Sequence, residues 1–440
     1  MLTSRDLTSG PISRQLFRLA APIIGTSFIQ MTYSLTDMAW VGRLGSASVA
    51  AIGSVGILTW LTTNISLLTK VASEVSVGMS LGSRSQSDAR MYATHNFTIA
   101  LLLSLIWGSS MFALAQPVLG LYRLSEGITS EAVVYLRIVA IGFPFVFLSS
   151  ALTGIYNGAG LSRIPFYIHG AGLILNITLD PVCIFVFDMG SAGAAIATII
   201  SQASVFVIFI YTTKRKSRLL GGFPLLGKLR AMPTLRIFRL GLPVAMFNSL
   251  HSIINLLMGR TASLHGGHIG LMTLTAGGQI EALAWNTSQG FSTALGSFVA
   301  QNHAAGMRDR VHGAYRTTLL MTMIFGIFCT LLFVFFGEEI FAVIVPEREA
   351  WMAGGLFLRI DGYSMMLMML EITMQGLFYG TGRTIPPAII SISLNLARLP
   401  LAALLASTSL GVEGVWWALS LTSMGKGAAA FLYWKLSSKS

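Results

Sequence analysis

Charge is what this sequence has least of. Of its 440 residues only 10% are Asp, Glu, Lys or Arg, against 54% hydrophobic, and the mean hydropathy is +0.71. A soluble domain carries roughly 25% charged residues, so this chain cannot cover a water-facing surface and is expected to be a polytopic membrane protein. Cysteine is nearly absent as well. Cys183 and Cys329 both lie inside apolar runs, which excludes a disulfide framework and a CxxC metal pair. There is no HExxH, GxSxG or GxxxxGKS/T sequence, so neither hydrolase chemistry nor direct use of ATP is expected, and the chain is not read as an enzyme. Its start, MLTSRDLTSGPISRQLFRLAAP, shows no signal-peptide cleavage pattern, so the first hydrophobic segment is expected to remain as a membrane helix.

What is present is long apolar segments. A bilayer core of about 30 Å needs about 20 apolar residues of helix. Runs of that kind are predicted at 16–40, 47–80, 92–115, 131–156, 163–187, 192–213, 237–260, 269–300, 314–336, 353–378, 385–407 and 414–436. No β-barrel alternation appears, so the fold class is all-α with twelve transmembrane helices. The side shared by both termini collects 20 of the 29 Lys and Arg residues and the opposite side six, which puts both termini in the cytoplasm. The richest loop, between segments 6 and 7, carries Lys214, Arg215, Lys216, Arg218, Lys228, Arg230, Arg236 and Arg239; it reads as a topology signal beside anionic lipid.

The chain also repeats itself. FRLAAPI at Phe17 returns as FRLGLPV at Phe238, YLRI…GIYNGAG from Tyr135 returns as FLRI…GLFYGTG from Phe357, and GAAIAT at Gly193 returns as GVWWAL at Gly414, at offsets of 221, 222 and 221 residues. Six helices precede each return, so the halves share one orientation. The expected organisation is an N-terminal six-helix lobe (1–213), a cytoplasmic basic linker (214–236) and a C-terminal six-helix lobe (237–440), pseudo-symmetric about a central cleft. Such repeats belong to alternating-access transporters.

Six acids fall within or beside these segments: Asp37, Glu74, Asp180, Glu281, Asp361 and Glu371. A carboxylate at the bilayer centre costs about 2.5–3.5 kcal/mol on insertion scales and usually marks an ion pathway or a coupling site. Glu74 has Lys70 one turn away for a partner, and Asp361 stands two residues from Arg359. Glu281 and Glu371 have Arg398 and Lys426 within the same half. Asp37 and Asp180 have no such cation at their depth. Two desolvated carboxylates that share a pocket cannot both stay ionised, so the pair is expected to take up a proton or a small cation such as Na⁺. Asn176, one turn before Asp180, with Tyr135 and Thr198, would complete a shell of oxygens suited to a hard cation. Pro22 and Gly25 are the expected hinge of segment 1, since the proline removes an intrahelical hydrogen bond.

At this point the sequence resembles a known family. LAAPIIGTSFIQMTYSLTDMAWVGRLG, NGAG, LNITLDP, GAAIATIISQ and VAQNHAAGMRDR occur in the order found in the multidrug and toxic compound extrusion (MATE) family, over residues 12–436. The coupling set resembles that of the DinF-like branch. The resemblance implies an antiporter of the bacterial or archaeal cytoplasmic membrane that exchanges H⁺ or Na⁺, with no other cofactor, for small organic compounds, often cationic or amphipathic. It further implies no nucleic-acid partner and a functional monomer in the lipid bilayer. Relatives with a conspicuous C-lobe ion site carry a glutamate eight residues after the segment 7 proline. Here that position is His251, after Pro243, which favours the N-lobe for coupling. Gln30, Met31, Tyr33, His251, Met258, Glu281 and Trp285 are the candidates for a substrate cleft, methionine and aromatic side chains being adaptable. The rival within the superfamily is a flippase for lipid-linked oligosaccharides, whose phosphates would call for several arginines in the cleft. His265 and His268 lie in LHGGHIG without further ligands and are not read as a metal site.

Overall fold

The computed structural model describes residues 5–120, 125–216, 220, 222–344 and 347–437, and those residues form helices and no strand. In chain order the helices are α1 (Ile12–Val41), α2 (Ser46–Gly82), α3 (Gln86–Ala113), α4 (Ala115–Gly120), α5 (Glu126–Gly158), α6 (Arg163–Pro181), α7 (Gly190–Tyr211), α8 (Ala231–Ala304), α9 (Arg308–Ile344), α10 (Arg348–Gly362), α11 (Met365–Gly380), α12 (Ile385–Ala406) and α13 (Val412–Ser437). Eight of them are long and apolar enough to cross a bilayer alone. α8, at 74 residues, carries two of the spans, α1 and α13 add one each, and the short α10 and α11, of 15 and 16 residues, together make one. Eight, with one more from α8 and these three, gives twelve spans, six in each half of the chain.

Several helix ends lie beyond the apolar runs. α3 begins at Gln86, not at 92, because the Ser85 hydroxyl accepts the Asp88 amide at 3.4 Å and so satisfies one of the free donors of the first turn. Segments 7 and 8 are two helices that meet at a kink within α8. Their separation survives as one left-handed residue, Gly267 (φ 59°, ψ −147°), a conformation glycine adopts without strain. Segment 10 is interrupted where the Ser364 amide and hydroxyl both return to the Asp361 carbonyl, at 2.8 and 2.9 Å.

The chain divides into two compact units. The first comprises residues 5–9, Arg18–Ala245 and Ala300–Gly306; the second comprises Gly10–Phe17, Met246–Val299 and residues 307–437. Within the first, α5 carries Gly154 and Gly158 four apart, facing the Lys70 and Glu74 carbonyls of α2; a Cβ at Gly158 would stand 2.5 Å from the Glu74 oxygen. Within the second, Gly376 and Gly380 of α11 face Ser292 and Gly296 of α8 in the same way, a Cβ at Gly380 falling 2.7 Å from the Gly296 oxygen. This is the small-xxx-small spacing that lets membrane helices approach closely. It explains why NGAG returns as YGTG 222 residues later. Each unit repeats the glycine contact that brings two of its helices together.

The N-terminal residues belong to the first unit. The Arg5 amide donates to the Ala159 carbonyl (2.9 Å), the Leu7 amide to Gln301 Oε1 (3.1 Å), and Asn302 Nδ2 to the Leu7 carbonyl (3.1 Å). Gln301 Nε2 in turn donates to Gly158 (2.9 Å). The residues of VAQNHAAG thus have a structural task at the end of α8. The predicted 214–236 linker is shorter than expected. Thr212–Lys216 continue α7 as a π turn, and α8 has started by Ala231; Arg218 lies outside the described residues.

Candidate functional site

Asp180 is the penultimate residue of α6 and its side chain is fully buried. Pro181 follows, and a π turn carries the helix on over Val182–Val186. Asn176, one turn earlier and also fully buried, donates from Nδ2 to Asp180 Oδ1 at 3.1 Å. Asp37 comes from α1, and its carboxyl lies within hydrogen-bonding reach of both Asp180 and Asn176. From α7, Thr198 Oγ1 donates to Asp37 Oδ2 at 3.4 Å. Tyr135 of α5, 7% exposed, is in electrostatic reach of both acids. The five coupling candidates come together in one place, from four helices of the first unit.

Two further residues join them. Tyr33 is one turn before Asp37 on α1, so its ring shares the inward face; it lies near Ser201 of α7 and within reach of both acids and Tyr135. From the sequence Tyr33 is a cleft candidate, and Ser201 is not among the candidates. The signal was present in the spacing, since Tyr33 is four residues from Asp37 and Ser201 three from Thr198.

Oxygens without donors define the chemistry of this cluster. Asp37 Oδ1, Asp180 Oδ2, Asn176 Oδ1, Tyr33 Oη and Ser201 Oγ are all buried and none has a hydrogen-bond partner. The groups acting on the two acids are each other, Asn176 and Thr198, with no lysine or arginine among them. Buried polar groups are normally satisfied, and a buried charge needs a counter-charge. A proton shared by the carboxyls, or a cation among the oxygens, would satisfy all of these groups together. Only two of the ligands are acidic, and no group of three or more His, Cys, Asp or Glu suited to a metal occurs among the described residues. The set therefore suits a proton or a monovalent ion better than a divalent or transition metal.

The second unit contains the same positions with the chemistry removed. LNITLDP (Leu175–Pro181) aligns with LNLARLP (Leu394–Pro400), so Asn176 corresponds to Asn395 and Asp180 to Leu399. By the repeat offsets Asp37 corresponds to Met258, Tyr135 to Phe357 and Thr198 to Leu419. Met258 and Phe357 are 0% and 2% exposed in one apolar core, against which Leu399 and Leu419 also pack. Met258 is thus a core side chain and not the cleft residue its type suggested. His251 is corrected likewise: its Nε2 stands 3.1 Å from Asn255 Nδ2 and its Nδ1 3.3 Å from Asn395 Nδ2, so it fastens α8 to α12.

Of the other acids of this unit Glu371 is fully satisfied, whereas Asp361 Oδ2 is buried without a hydrogen-bond partner. Glu371 Oε1 accepts from Ser391 Oγ (2.8 Å) and Gln375 Nε2 (3.0 Å), while Oε2 pairs with Lys426 Nζ at 3.2 Å. Arg398 donates to Thr422 and Ser423, at 2.9 and 3.3 Å. Glu281, half-buried on α8, is in electrostatic reach of Arg398 and Lys426, as Asp361 is of Glu281 and Arg398. Trp285, one turn after Glu281, packs on the apolar core. In the first unit Gln30 is exposed and Met31 half-buried on α1. Gly25 has a packing role that the hinge reading did not foresee, because a Cβ there would stand 2.5 Å from the Phe166 ring of α6. α1 runs unbroken through Pro22, whose carbonyl accepts from Thr26 Oγ1 at 2.9 Å.

Twelve membrane spans built as an internal repeat are the architecture of a membrane transporter. A family model described as MatE matches residues 22–182 and again 243–404. The chain belongs to that family, and the double match, displaced by 221 to 222 residues, is the internal repeat seen from outside. It is 25% identical over 421 residues (92% of this chain, 88% of the relative) to a probable multidrug resistance protein NorM of Thermotoga maritima. It is 26% identical over 449 residues (98% and 96%) to a protein of Shewanella oneidensis named FAD transporter. Among solved structures, a MATE protein in complex with MaD3S superposes with a TM-score of 0.92 at 22% identity, covering 98% of this chain and 97% of that one.

Proposed function

We propose that the chain is an antiporter that exports small organic, cationic or amphipathic compounds by alternating access, driven by H⁺ or Na⁺ taken up at Asp37 and Asp180. The observation that carries this reading is the meeting of two buried carboxyls with no cation beside them and five buried oxygens still without partners. Neutralising that cluster changes what α1 gains by lying against α6 and α7. Because Asp37 is on α1 while Asp180, Asn176, Thr198 and Ser201 are on the other two helices, ion binding and release would alter the hold of the bundle on α1. Pro22 and the Gly25–Phe166 contact lie about three to four turns away on the same helix, where a change of hold would be felt as bending. In this reading both termini and the basic segment after α7 face the cytoplasm, and the monomer is the working unit.

The Shewanella relative raises a phosphate-bearing substrate as a second reading. In this chain, however, the intramembrane cations that would meet phosphates are engaged: Lys426 with Glu371, and Arg398 with Thr422 and Ser423, at 6% and 3% exposure. Their engagement supports the organic-cation reading over the flippase or nucleotide one.

The test is transport of a fluorescent organic cation in liposomes, with a pH gradient and a Na⁺ gradient imposed separately. One gradient should drive wild-type export and leave Asp37→Asn inactive. Equal transport by the variant would remove the coupling site from these residues. Transport of a phosphate-bearing dye but not of the cation would overturn the substrate class.

A further inference from the structure

The segment between α7 and α8 has a use beyond signalling topology. Its residues 220–230, where described, are strapped along the first turns of α3 by side chain to backbone hydrogen bonds. Arg90 Nε donates to the Leu220 carbonyl (2.6 Å), Thr94 Oγ1 to the Pro224 carbonyl (2.7 Å), the Gly227 amide to Thr98 Oγ1 (3.3 Å) and the Arg230 amide to His95 Nε2 (3.1 Å). Four contacts spread over about two turns of one helix, from Arg90 to Thr98, give the strap a fixed path and fix which side chains point away from the protein.

Those side chains form a pattern. Leu226, Leu229, Met232 and Leu235 recur every third residue and are 56%, 39%, 80% and 65% exposed. Lys228 and Arg230 stand exposed between them. Residues 214–239 contain no Asp or Glu. The nearest acid on the supporting helix, Asp88, already accepts from the Ser85 hydroxyl at 2.8 Å. An apolar row interleaved with uncompensated cations, at the start of a membrane span, matches the two halves of an anionic lipid: acyl chains on leucine and methionine, phosphate on lysine and arginine.

We propose that this strap is a binding site for an anionic phospholipid, with Lys228 and Arg230 on the headgroup phosphate and the row Leu226, Leu229, Met232 and Leu235 against its acyl chains. On the orientation given above the lipid comes from the cytoplasmic leaflet, where anionic lipid is found. Lipid held there lies against both α3 and the start of α8, so the composition of the leaflet bears directly on the connection between the two halves of the chain.

Native mass spectrometry of the full-length protein tests this by counting retained lipids as phosphatidylglycerol or phosphatidylcholine is titrated in. Wild type should hold one phosphatidylglycerol in preference to phosphatidylcholine. Lys228→Gln with Arg230→Gln should weaken that binding by about fivefold for each cation removed, leaving phosphatidylcholine unchanged. Leu226→Asn with Met232→Asn should weaken both lipids, an effect that loss of charge does not produce. The proposal is overturned if the charge variant keeps the wild-type preference, or if inorganic phosphate alone displaces phosphatidylglycerol, which would make this a site for soluble anions. A dimer in wild type that becomes monomeric in the Leu226/Met232 variant, with lipid counts unchanged, would also overturn it by assigning the row to a second copy of the chain.

Discussion

Asp180 and Glu371 are both carboxylates buried in membrane-spanning helices, yet one has an oxygen left over and the other has none. Asp180 Oδ2 has no donor, and its neighbour is another acid. Glu371 is met by a serine, a glutamine and a lysine. A fully satisfied buried group holds helices in place, and an unsatisfied one calls for an explanation of its own. The repeat sharpens the contrast. Where the first unit has Asp37, Tyr135, Asp180 and Thr198, the second has Met258, Phe357, Leu399 and Leu419, an apolar core on the same scaffold. Folding therefore does not require the acids at these positions, and the first unit keeps them for something else.

The largest expected effect follows from that difference. Asp180→Asn should abolish gradient-driven export in liposomes, while its melting temperature in detergent should hold or rise, because one member of an uncompensated pair has been neutralised. A melting temperature that falls by ten degrees or so with transport intact would make Asp180 a structural residue and erase the contrast with Glu371. The same measurement run on Glu371→Gln should give the opposite result. Removing one partner of a buried ion pair strands the other and costs about 3–5 kcal/mol, so this variant should be poorly stable. Replacing Glu371 and Lys426 together with methionine should recover most of the loss, since an apolar pair of similar volume leaves no charge stranded.

These contrasts show how far the sequence could be read. Hydropathy and the repeat were enough for twelve helices, because a lipid-facing helix must be apolar wherever its neighbours are not. The acids of LNITLDP and SLTDM stood out against that background for the same reason. Ser201 did not stand out, since a lone serine in a membrane helix usually bonds back to its own turn, and only the folded structure brings it near Tyr33. Met258 misled for a converse reason: side-chain type says that methionine adapts to ligands, but its place in the repeat, opposite Asp37, buries it. The break between segments 7 and 8 was legible, because Gly267 kinks α8 into two helices between the two apolar runs.

Because the scaffold is repeated where the chemistry is not, scaffold substitutions should act alike in the two units. Gly158→Ala and Gly380→Ala each place a methyl group against a neighbouring helix, at 2.5 Å from the Glu74 oxygen and 2.7 Å from the Gly296 oxygen. Each should cost about 1–3 kcal/mol of stability by overpacking, read as a matched drop in thermal midpoint. A drop in one only would mean that the two units do not depend equally on the glycine contact.

The smallest expected effect concerns the oxygens at the edge of the cluster. Tyr33→Phe and Ser201→Ala each remove one buried hydroxyl whose near polar neighbour is the other, so neither strands a charge, and stability should change by less than about 1 kcal/mol. If the hydroxyls are ion ligands, the gradient needed for half-maximal export should shift by a few fold while the maximal rate stays near wild type, since Asp37 and Asp180 still provide the charge. Tyr135→Phe supplies the comparison, because Phe357 already occupies the corresponding place in the second unit and the ring fits a buried site there. A hydroxyl that contributes only packing would leave the half-maximal gradient where it was in all three variants. A shift in Tyr33→Phe alone would narrow the ion's position to the α1 side of the carboxylate pair, next to the proline-containing helix that has to respond to it.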